Sequence, residues 1–107
     1  MTLNEFQKGA LETAVYPEQY RVIYPALGLA GEAGEAADKV KKVLRGDDAW
    51  TDERKRAVAL EIGDVLWYCA TLAWDLGYSL EEIGRMNHEK LASRKARGKL
   101  GGDGDER

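Results

Sequence analysis

Two pairs of acidic residues lie inside stretches whose other residues predict buried helix. Glu32 and Glu35 stand in LGLAGEAGEAA, and Glu61 and Asp64 stand in AVALEIGDVLWYCA. Within each pair, a spacing of three residues places both side chains on one face of a helix, about a turn apart. An unpaired carboxylate removed from water is strongly disfavoured, so four of them among apolar residues indicate a bound cation. We therefore expect the two helices to face each other around a divalent metal.

Length and composition limit the other possibilities. The chain has 107 residues, 44% hydrophobic and 33% charged, and a net charge of -3. A domain of this size covers its core poorly as a monomer, so we expect an oligomer. The negative charge offers no electrostatic footprint for a nucleic acid. No apolar run approaches the ~20 residues of a membrane span, residues 1–10 lack a signal-peptide pattern, and the single Cys69 indicates a reducing compartment, so the protein is expected to be cytoplasmic.

Helical periodicity predicts an all-α fold, a four-helix bundle-like subunit assembled into an oligomer. The expected helices are Leu3–Ala14, Ala26 to about Arg45, Asp52 to about Leu76, and Leu80 to about Arg97. The segment between the first two, Val15–Pro25, holds both prolines and is expected to be an extended connection. Residues 1–98 form the predicted domain, and the glycine-rich, charged residues 99–107 are expected to be a flexible tail.

Helix-capping residues support these boundaries. Thr2, Thr51 and Ser79 precede the first, third and fourth helices as N-caps, the first and last within capping-box sequences. Gly46 is expected to end the second helix before a turn at Asp47–Asp48, and glycine also follows the third helix.

One face of the third helix is acidic and lacks basic residues. The residues that share this face are Ala57, Glu61, Asp64, Tyr68, Thr71 and Asp75. A polar face of this kind often just contacts solvent, but solvent faces mix both signs of charge, and no Lys or Arg occurs between Arg56 and Arg85. Oxygen ligands favour Mg²⁺ or Mn²⁺, whereas Cys69 and His88 are not spaced to bind zinc.

The second helix carries glycines and lysines with two interpretations each. Gly28, Gly31 and Gly34 recur every third residue, which favours close approach of another backbone and does not match a dinucleotide-binding motif. Lys39 and Lys42 follow on the side of Glu32 and Glu35. They are equally compatible with phosphate binding and with ordinary pairing four residues apart, Lys39 with Glu35 and Lys42 with Asp38.

The two acidic motifs, in this order and with residues 36–60 between them, resemble those of the MazG-like nucleoside triphosphate pyrophosphohydrolases. The flanking segments GLAGEAGEAADKVKK and LEIGDVLWYCA are similar to the two core segments of small single-domain members. Asn87, Lys90 and Leu91 resemble a third segment of the family. The resemblance covers roughly Phe6 to Arg97.

The resemblance implies an all-α enzyme that forms dimers or tetramers and cleaves nucleoside triphosphates to monophosphates and pyrophosphate with Mg²⁺. It implies that the metal-binding and catalytic residues are Glu32, Glu35, Glu61 and Asp64, with the general base among them undetermined. It also implies that Asn87 and Lys90 approach the substrate. The ending from Arg94 to Arg107 is similar to the tails of some small members.

Charge balance indicates how a substrate would bind. A triphosphate is strongly negative and approaches carboxylates only with divalent metal between them. The candidates to hold the outer phosphates are Lys39, Lys42, Lys90 and Arg94. Tyr68 or Trp67 is available to stack on the base, although packing in the core is the better interpretation for Trp67. Deoxynucleotide house-cleaning is the favoured role.

Two other classes of protein fit parts of the sequence. A non-catalytic helical oligomerisation or regulatory module would explain the amphipathic helices but not the acidic face. A carboxylate-bridged di-iron bundle also uses glutamates on facing helices, but it requires E-x-x-H, and the fourth position of each motif here is Glu or Asp.

Overall fold

The computed structural model describes residues 1–47 and 49–107, and within these ranges it is all-α with no strand. The four α-helices, numbered in chain order, are α1 (Leu3–Glu12), α2 (Ile23–Lys42), α3 (Asp52–Asp75) and α4 (Leu80–Ala96). A 3₁₀ turn at Glu18–Tyr20 precedes α2, and a π-helical turn at Val43–Asp47 follows it. The predicted all-helical class is confirmed.

The three predicted N-caps are present. Thr2 and Ser79 form capping boxes with Glu5 and Glu82, in which each side chain binds the other residue's backbone N–H. The hydroxyl of Thr51 accepts a hydrogen bond from the backbone N–H of Arg54 at 3.1 Å. These caps depend on residues three positions apart, which explains why local sequence was sufficient to find them.

The start of α2 differs from the expectation. The helix begins at Ile23 rather than Ala26, so Pro25 lies in its first turn, where the missing N–H is not required. The preceding residue, Val22, has the positive φ of 69° that redirects the chain into the helix. The predicted extended connection also contains the 3₁₀ turn, so it is partly helical.

The end of α2 was predicted within a few residues. The α-helix ends at Lys42, before the expected Arg45, and the π-helical turn continues to Asp47. Gly46 has φ 86°, the left-handed conformation expected of a residue that ends a helix. The predicted turn at Asp47–Asp48 falls partly on Asp48, outside the described residues.

The helices α2 and α3 pack along each other, and α1 and α4 both pack against α3. The core is small, and its cluster of buried apolar residues is Ala10, Ala70, Ala73 and Leu80. Beside them, the buried amide of Gln7 joins three helices. Its nitrogen donates to the carbonyls of Ala70 and Tyr78 at 3.0 and 3.2 Å, and its oxygen accepts from the N–H of Leu80 at 3.2 Å.

A single chain leaves an unusually large surface exposed. The accessible area is 7754 Å², whereas a compact monomer of this mass exposes about 6,000 Å². The radius of gyration is 16.6 Å, against about 13 Å for a compact domain of this length. Exposed apolar side chains include Leu27 (70% exposed), Leu60 (57%) and Met86 (53%), so apolar area on three helices contacts water in the lone chain.

Among the described residues, one helix, α3, is long and apolar enough by length and composition to cross a membrane, which differs from the expectation that no span is present. This is weak evidence, because the core helix of a soluble protein passes the same test. The middle of α3 carries Glu61 and Asp64, and charged groups are strongly disfavoured in hydrocarbon.

Candidate metal and nucleotide site

The packing of α2 against α3 brings their acidic motifs together. Gly28 lies against Tyr68, while Lys39, eleven residues further along α2, pairs with Glu61, seven residues earlier on α3. The two helices are therefore antiparallel, and the motif on α2 faces the motif on α3. A Cβ atom at Gly28 would fall on the Tyr68 ring, so this glycine permits the close approach.

The glycine prediction is only partly correct. At Gly28 the approaching group is a side-chain ring rather than a backbone. A Cβ atom at Gly31 or Gly34 would have nothing within 4 Å.

Three of the four predicted metal ligands converge. Glu32, Glu61 and Asp64 each offer a carboxylate oxygen, and these oxygens lie within 4.8 Å of one another. Glu32 and Glu61 are partly buried, and Asp64 is exposed. We call these three residues the acidic centre. Glu35 is exposed and is not part of this group, but its charge acts on Glu32 and on Lys39.

The carboxylates of the acidic centre affect each other's ionisation. A hydrogen bond to Glu61, together with partial burial and the charges of Asp64, Glu61 and Glu35, raises the pKa of Glu32. The ammonium of Lys39, 2.7 Å from Glu61 Oε1, lowers the pKa of Glu61, and the same contact raises the pKa of Lys39. One lysine thus faces several carboxylates, and negative charge remains in excess.

The donor set fits a hard divalent cation. All the clustered ligands are carboxylate oxygens, which Mg²⁺ and Mn²⁺ prefer. Cys69 is partly buried, its pKa is raised by burial, and it packs beside the core, while His88 is exposed on α4. Neither residue belongs to the acidic centre, so the arrangement does not favour zinc.

An open cavity of about 350 Å³ adjoins the acidic centre. It is lined by Thr13, Glu32, Asp64, Trp67 and Tyr68. Trp67 donates its indole N–H to the Thr13 hydroxyl at 2.8 Å. The Trp67 and Tyr68 rings meet edge-on, with 5.0 Å between their centroids. Trp67 also packs against the core cluster, as the sequence favoured, and it lines the cavity as well. Carboxylates and aromatic rings therefore share one cavity.

Two further aromatic side chains, which no sequence motif pointed to, extend from this cavity. Tyr24 lies 6.3 Å from Tyr68 between ring centroids, and Tyr16 stacks on Tyr24 at 4.8 Å. Thr13 was missed as well. The only sequence signal was the concentration of tyrosines between residues 16 and 24, which does not indicate the direction in which the rings point.

The lysines of α2 have partners within the chain. Lys39 forms its ion pair with Glu61 on α3. The spacing of four residues had offered Glu35 as its partner. Lys42 pairs with Asp38 at 3.2 Å, as the spacing of four residues predicted, and Lys41 also binds Asp38 at 3.0 Å. Neither Lys39 nor Lys42 is among the residues that line the cavity.

The predicted substrate-binding residues of α4 do not line the cavity within one chain. Asn87 is exposed. Lys90 binds Asp105 of the tail at 3.0 Å, and the Nη2 atom of the buried Arg94 donates to the Gly104 and Asp105 carbonyls at 3.2 and 2.9 Å. We call Lys90 and Arg94 the basic end of α4.

The tail, which its composition predicts to be flexible, lies folded back on α4. The Arg107 side chain donates to the carbonyls of Leu100, Gly101 and Gly104 at 2.6–3.3 Å and so closes the tail on itself. Arg97 of α4 donates to the carbonyl oxygen of Arg107 at 2.7 Å.

Comparison with known proteins identifies the family. The sequence model of the MazG nucleotide pyrophosphohydrolase domain matches residues 25–98, more than half of the chain. The chain belongs to the MazG family. The match includes both acidic motifs and Tyr68, as well as Asn87, Lys90 and Arg94 of α4.

A relative of this MazG chain occurs in a bacteriophage. The chain is 42% identical over 114 aligned positions to the Gene 37 protein of Mycobacterium phage L5, and the alignment covers all of both proteins. No solved structure matches the chain significantly.

Family membership sets the general chemistry of the MazG chain. It indicates a nucleotide pyrophosphohydrolase, which is a hydrolase, and enzymes of this family typically depend on a divalent metal. The acidic centre supplies a group of carboxylates that is able to hold such a metal.

Proposed function

We propose that this MazG protein is a Mg²⁺-dependent nucleoside triphosphate pyrophosphohydrolase that cleaves (d)NTP to (d)NMP and pyrophosphate. The observation that supports this most strongly is the convergence of Glu32, Glu61 and Asp64 beside a cavity with an aromatic wall. The carboxylates suit a metal-bound polyphosphate and the rings suit a base, so the two halves of a nucleotide find complementary groups side by side.

Glu32, Glu61 and Asp64 would hold Mg²⁺, or Mn²⁺, with Glu35 near enough to strengthen the local negative potential. When bound, the metal neutralises phosphate charge and acidifies water. In the hydrolysis, the water oxygen bonds to the α-phosphorus and the α–β anhydride bond breaks. Pyrophosphate leaves with the electrons of that bond. A carboxylate among these four residues accepts the water proton.

Tyr68 and Trp67 provide the surface on which a base stacks. Tyr68 is partly buried, lies against the α2 backbone at Gly28, and lines the cavity together with Glu32 and Asp64. A base placed on these rings would direct its phosphates toward the carboxylates. Because aromatic stacking tolerates every base, this wall favours nucleotides as a class without selecting one of them.

A homodimer or homotetramer is part of the proposal. The lone chain exposes 7754 Å², which includes large apolar side chains on three helices. A second copy would cover part of this apolar surface. The proposed residues for the outer phosphates remain Lys39 and Lys42 on α2 and Lys90 and Arg94 on α4, and Asn87 on α4 remains a proposed substrate-binding residue. The α4 group lies outside the cavity of its own chain, so it is a candidate to serve the cavity of a neighbouring copy.

We also propose a cytoplasmic role in nucleotide-pool house-cleaning, without nucleic-acid or membrane partners. The net charge of -3 supports the absence of a nucleic-acid partner. The carboxylates in the middle of α3 support the absence of a membrane partner.

The test is a screen of canonical and modified nucleoside triphosphates with Mg²⁺, in which pyrophosphate release is measured. Glu61→Gln is expected to lower turnover by about 100-fold or more, because it removes a metal-binding charge. Glu53→Gln is the matched control, since Glu53 is exposed at the start of the same helix, away from the acidic centre. Full activity of Glu61→Gln would contradict the assigned role.

Inactivity toward every triphosphate would favour the non-catalytic oligomerisation module. A thermal melt with and without Mg²⁺ provides an independent check, because a ligand that binds only the folded state raises the midpoint. A midpoint that does not respond to Mg²⁺ would count against the metal site.

A further inference from the structure

Asp75 is a buried carboxylate that the proposed metal chemistry does not use. It lies at the end of α3, eleven residues after Asp64, and its side chain is only 4% exposed. Eleven residues of helix separate the two positions by about 16 Å, so Asp75 is too far away to share a metal with Asp64. Its oxygens instead accept three hydrogen bonds, from the Tyr16 hydroxyl, the Val22 N–H and the Arg21 Nε at 2.8, 2.9 and 3.3 Å.

These bonds hold a strained piece of backbone. Val22 has φ 69° and ψ −54°, a conformation that is sterically unfavourable for a β-branched residue. The N–H of Ile23 bonds to the carbonyl of Arg21 at 2.8 Å, which closes a tight turn around Val22. Such strain persists where surrounding contacts impose it, and it is concentrated at functional sites. Here Asp75 supplies a contact that imposes it, through the Val22 N–H.

A row of aromatic rings leads from Asp75 to the cavity. The Tyr16 ring stacks on Tyr24 with an angle of 22° between the planes, and Tyr24 lies beside Tyr68. Partial burial, the Tyr24 hydroxyl next to it and the charges of Glu32 and Asp64 raise the pKa of Tyr68. Tyr68 lines the cavity together with Glu32 and Asp64, so the row ends in the cavity wall.

The two end rings of the row are each held by a contact outside it. Burial and the hydrogen bond to Asp75 raise the pKa of Tyr16 to about 12, so Tyr16 remains a hydrogen-bond donor at physiological pH. On the other side of the row, Gly28 leaves the space that the Tyr68 ring fills. Tyr24 occupies the position between these two fixed rings.

We propose that Asp75 and Tyr16 are positioning residues that hold Tyr24, and through it the ring of Tyr68 in the cavity wall, as a surface on which a base stacks. The inference rests on the proposed function, because it takes a nucleotide as the ligand. It goes further in placing a determinant of base binding at the far end of α3, on residues that touch neither metal nor substrate.

The critical variant is Tyr16→Phe, which removes the hydroxyl bound to Asp75 and keeps the ring. Tyr20→Phe is the matched control, since Tyr20 lies in the same segment and is 47% exposed. Calorimetry with Mg²⁺ would measure the binding of a nucleoside monophosphate and of inorganic tripolyphosphate, which has no base. We expect Tyr16→Phe to weaken monophosphate binding by about three- to tenfold, as for a partial loss of stacking, and to change tripolyphosphate binding by less than about twofold.

Turnover gives a second readout. KM for a hydrolysed triphosphate should rise with Tyr16→Phe while kcat changes by less than about twofold, because ring placement affects binding of the base rather than the chemistry. Tyr20→Phe should leave both constants unchanged. Equal weakening of both ligands, a fall in kcat alone, or no effect of Tyr16→Phe would overturn the positioning role.

Asp75→Asn keeps the inference testable if Tyr16→Phe does not fold. The amide oxygen still accepts one bond but loses the charge that faces Arg21, so the same selective loss should appear in weaker form. One outcome is that the wild type hydrolyses no triphosphate but binds the monophosphate, and that the variants selectively weaken this binding. In that case the proposed function fails and the positioning role stands. If the wild type does not bind the monophosphate, the positioning role fails as well.

Discussion

The acidic centre and the basic end of α4 carry opposite charges, and each is only partly neutralised by its own chain. Lys39 faces the carboxylates of the acidic centre. Asp105 of the tail faces the cations of the basic end, and the buried Nε of Arg94 has no hydrogen-bond partner within the described residues. One region thus retains excess negative charge and the other excess positive charge.

The two regions differ in what holds them in place. Two long antiparallel helices build the acidic centre, and a fitted ring at Gly28 fixes their separation. A short tail, whose Asp105 is 81% exposed, closes the basic end. Exposed ion pairs contribute little to stability. The acidic centre is therefore held by packed helices, whereas the basic end is covered by a tail that is held by hydrogen bonds and exposed ion pairs.

The largest expected effect concerns the rigidity of the acidic centre. Gly28→Ala places a methyl group on the Tyr68 ring and should lower the free energy of unfolding by about 2 kcal/mol, a typical cost of overpacking. Gly31→Ala adds the same methyl group where nothing lies within 4 Å, and it should raise stability by about 0.5–1 kcal/mol. Urea denaturation measures both. Equal effects of the two variants would show that the helix contact is not tight.

The next largest effect concerns metal binding, in which a carboxylate of the acidic centre should matter more than its neighbour Glu35. Asp64→Asn removes one of the three clustered carboxylates and should weaken Mn²⁺ binding by at least about tenfold. Glu35→Gln removes only a nearby charge, so binding should weaken by less than about threefold. Titration followed by electron paramagnetic resonance gives both dissociation constants. A larger loss in Glu35→Gln would place Glu35 among the ligands instead.

The smallest expected effect concerns the basic end. Asp105→Asn removes the charge that faces Lys90 and Arg94, so the tail should be cleaved about two- to fivefold faster in limited proteolysis, as the loss of an exposed ion pair predicts. Asp103→Asn makes the same change in charge two residues away. It should leave the cleavage rate unchanged.

Acid should have the same effect on the tail of the wild type. Lys90, and then Arg94, lower the pKa of Asp105 below its usual value. The contribution of Asp105 to tail docking is therefore present above the pKa of the undocked carboxyl, about 4, and is lost as the pH falls through the lower docked value. Tail protection that does not change with acid would indicate that Arg107 holds the tail without Asp105.

Local sequence predicted those parts of the fold that depend on neighbouring residues. The caps at Thr2, Thr51 and Ser79 each use a partner three residues away and are present in the structure. The start of α2 was predicted wrongly because Val22 depends on Asp75, which is distant in the sequence. Composition also does not reveal the contacts of the tail, whose carbonyl groups accept hydrogen bonds from Arg94, Arg97 and Arg107.

The candidate site was also predicted only where helix spacing determines it. The spacing of the acidic motifs identified Glu32, Glu61 and Asp64, since helix periodicity sets the face on which they lie. Glu35 lies on α2 with Glu32 but outside the cluster, and which of the two faces α3 depends on how the helices pack, which no motif encodes. The rings of Tyr16 and Tyr24 reach the cavity through tertiary stacking, so periodicity gave no indication of them.

The hydrogen bonds of Gln7 hold the start of α4, so a small change in direction there displaces the far end of the helix. They fix the direction of the helix at Leu80, and Arg94 lies about 21 Å further along it. A tilt of about 5° at Leu80 would displace Arg94 by about 2 Å, more than a hydrogen bond tolerates. One uncharged amide in α1 therefore contributes to the position of cations at the far end of α4.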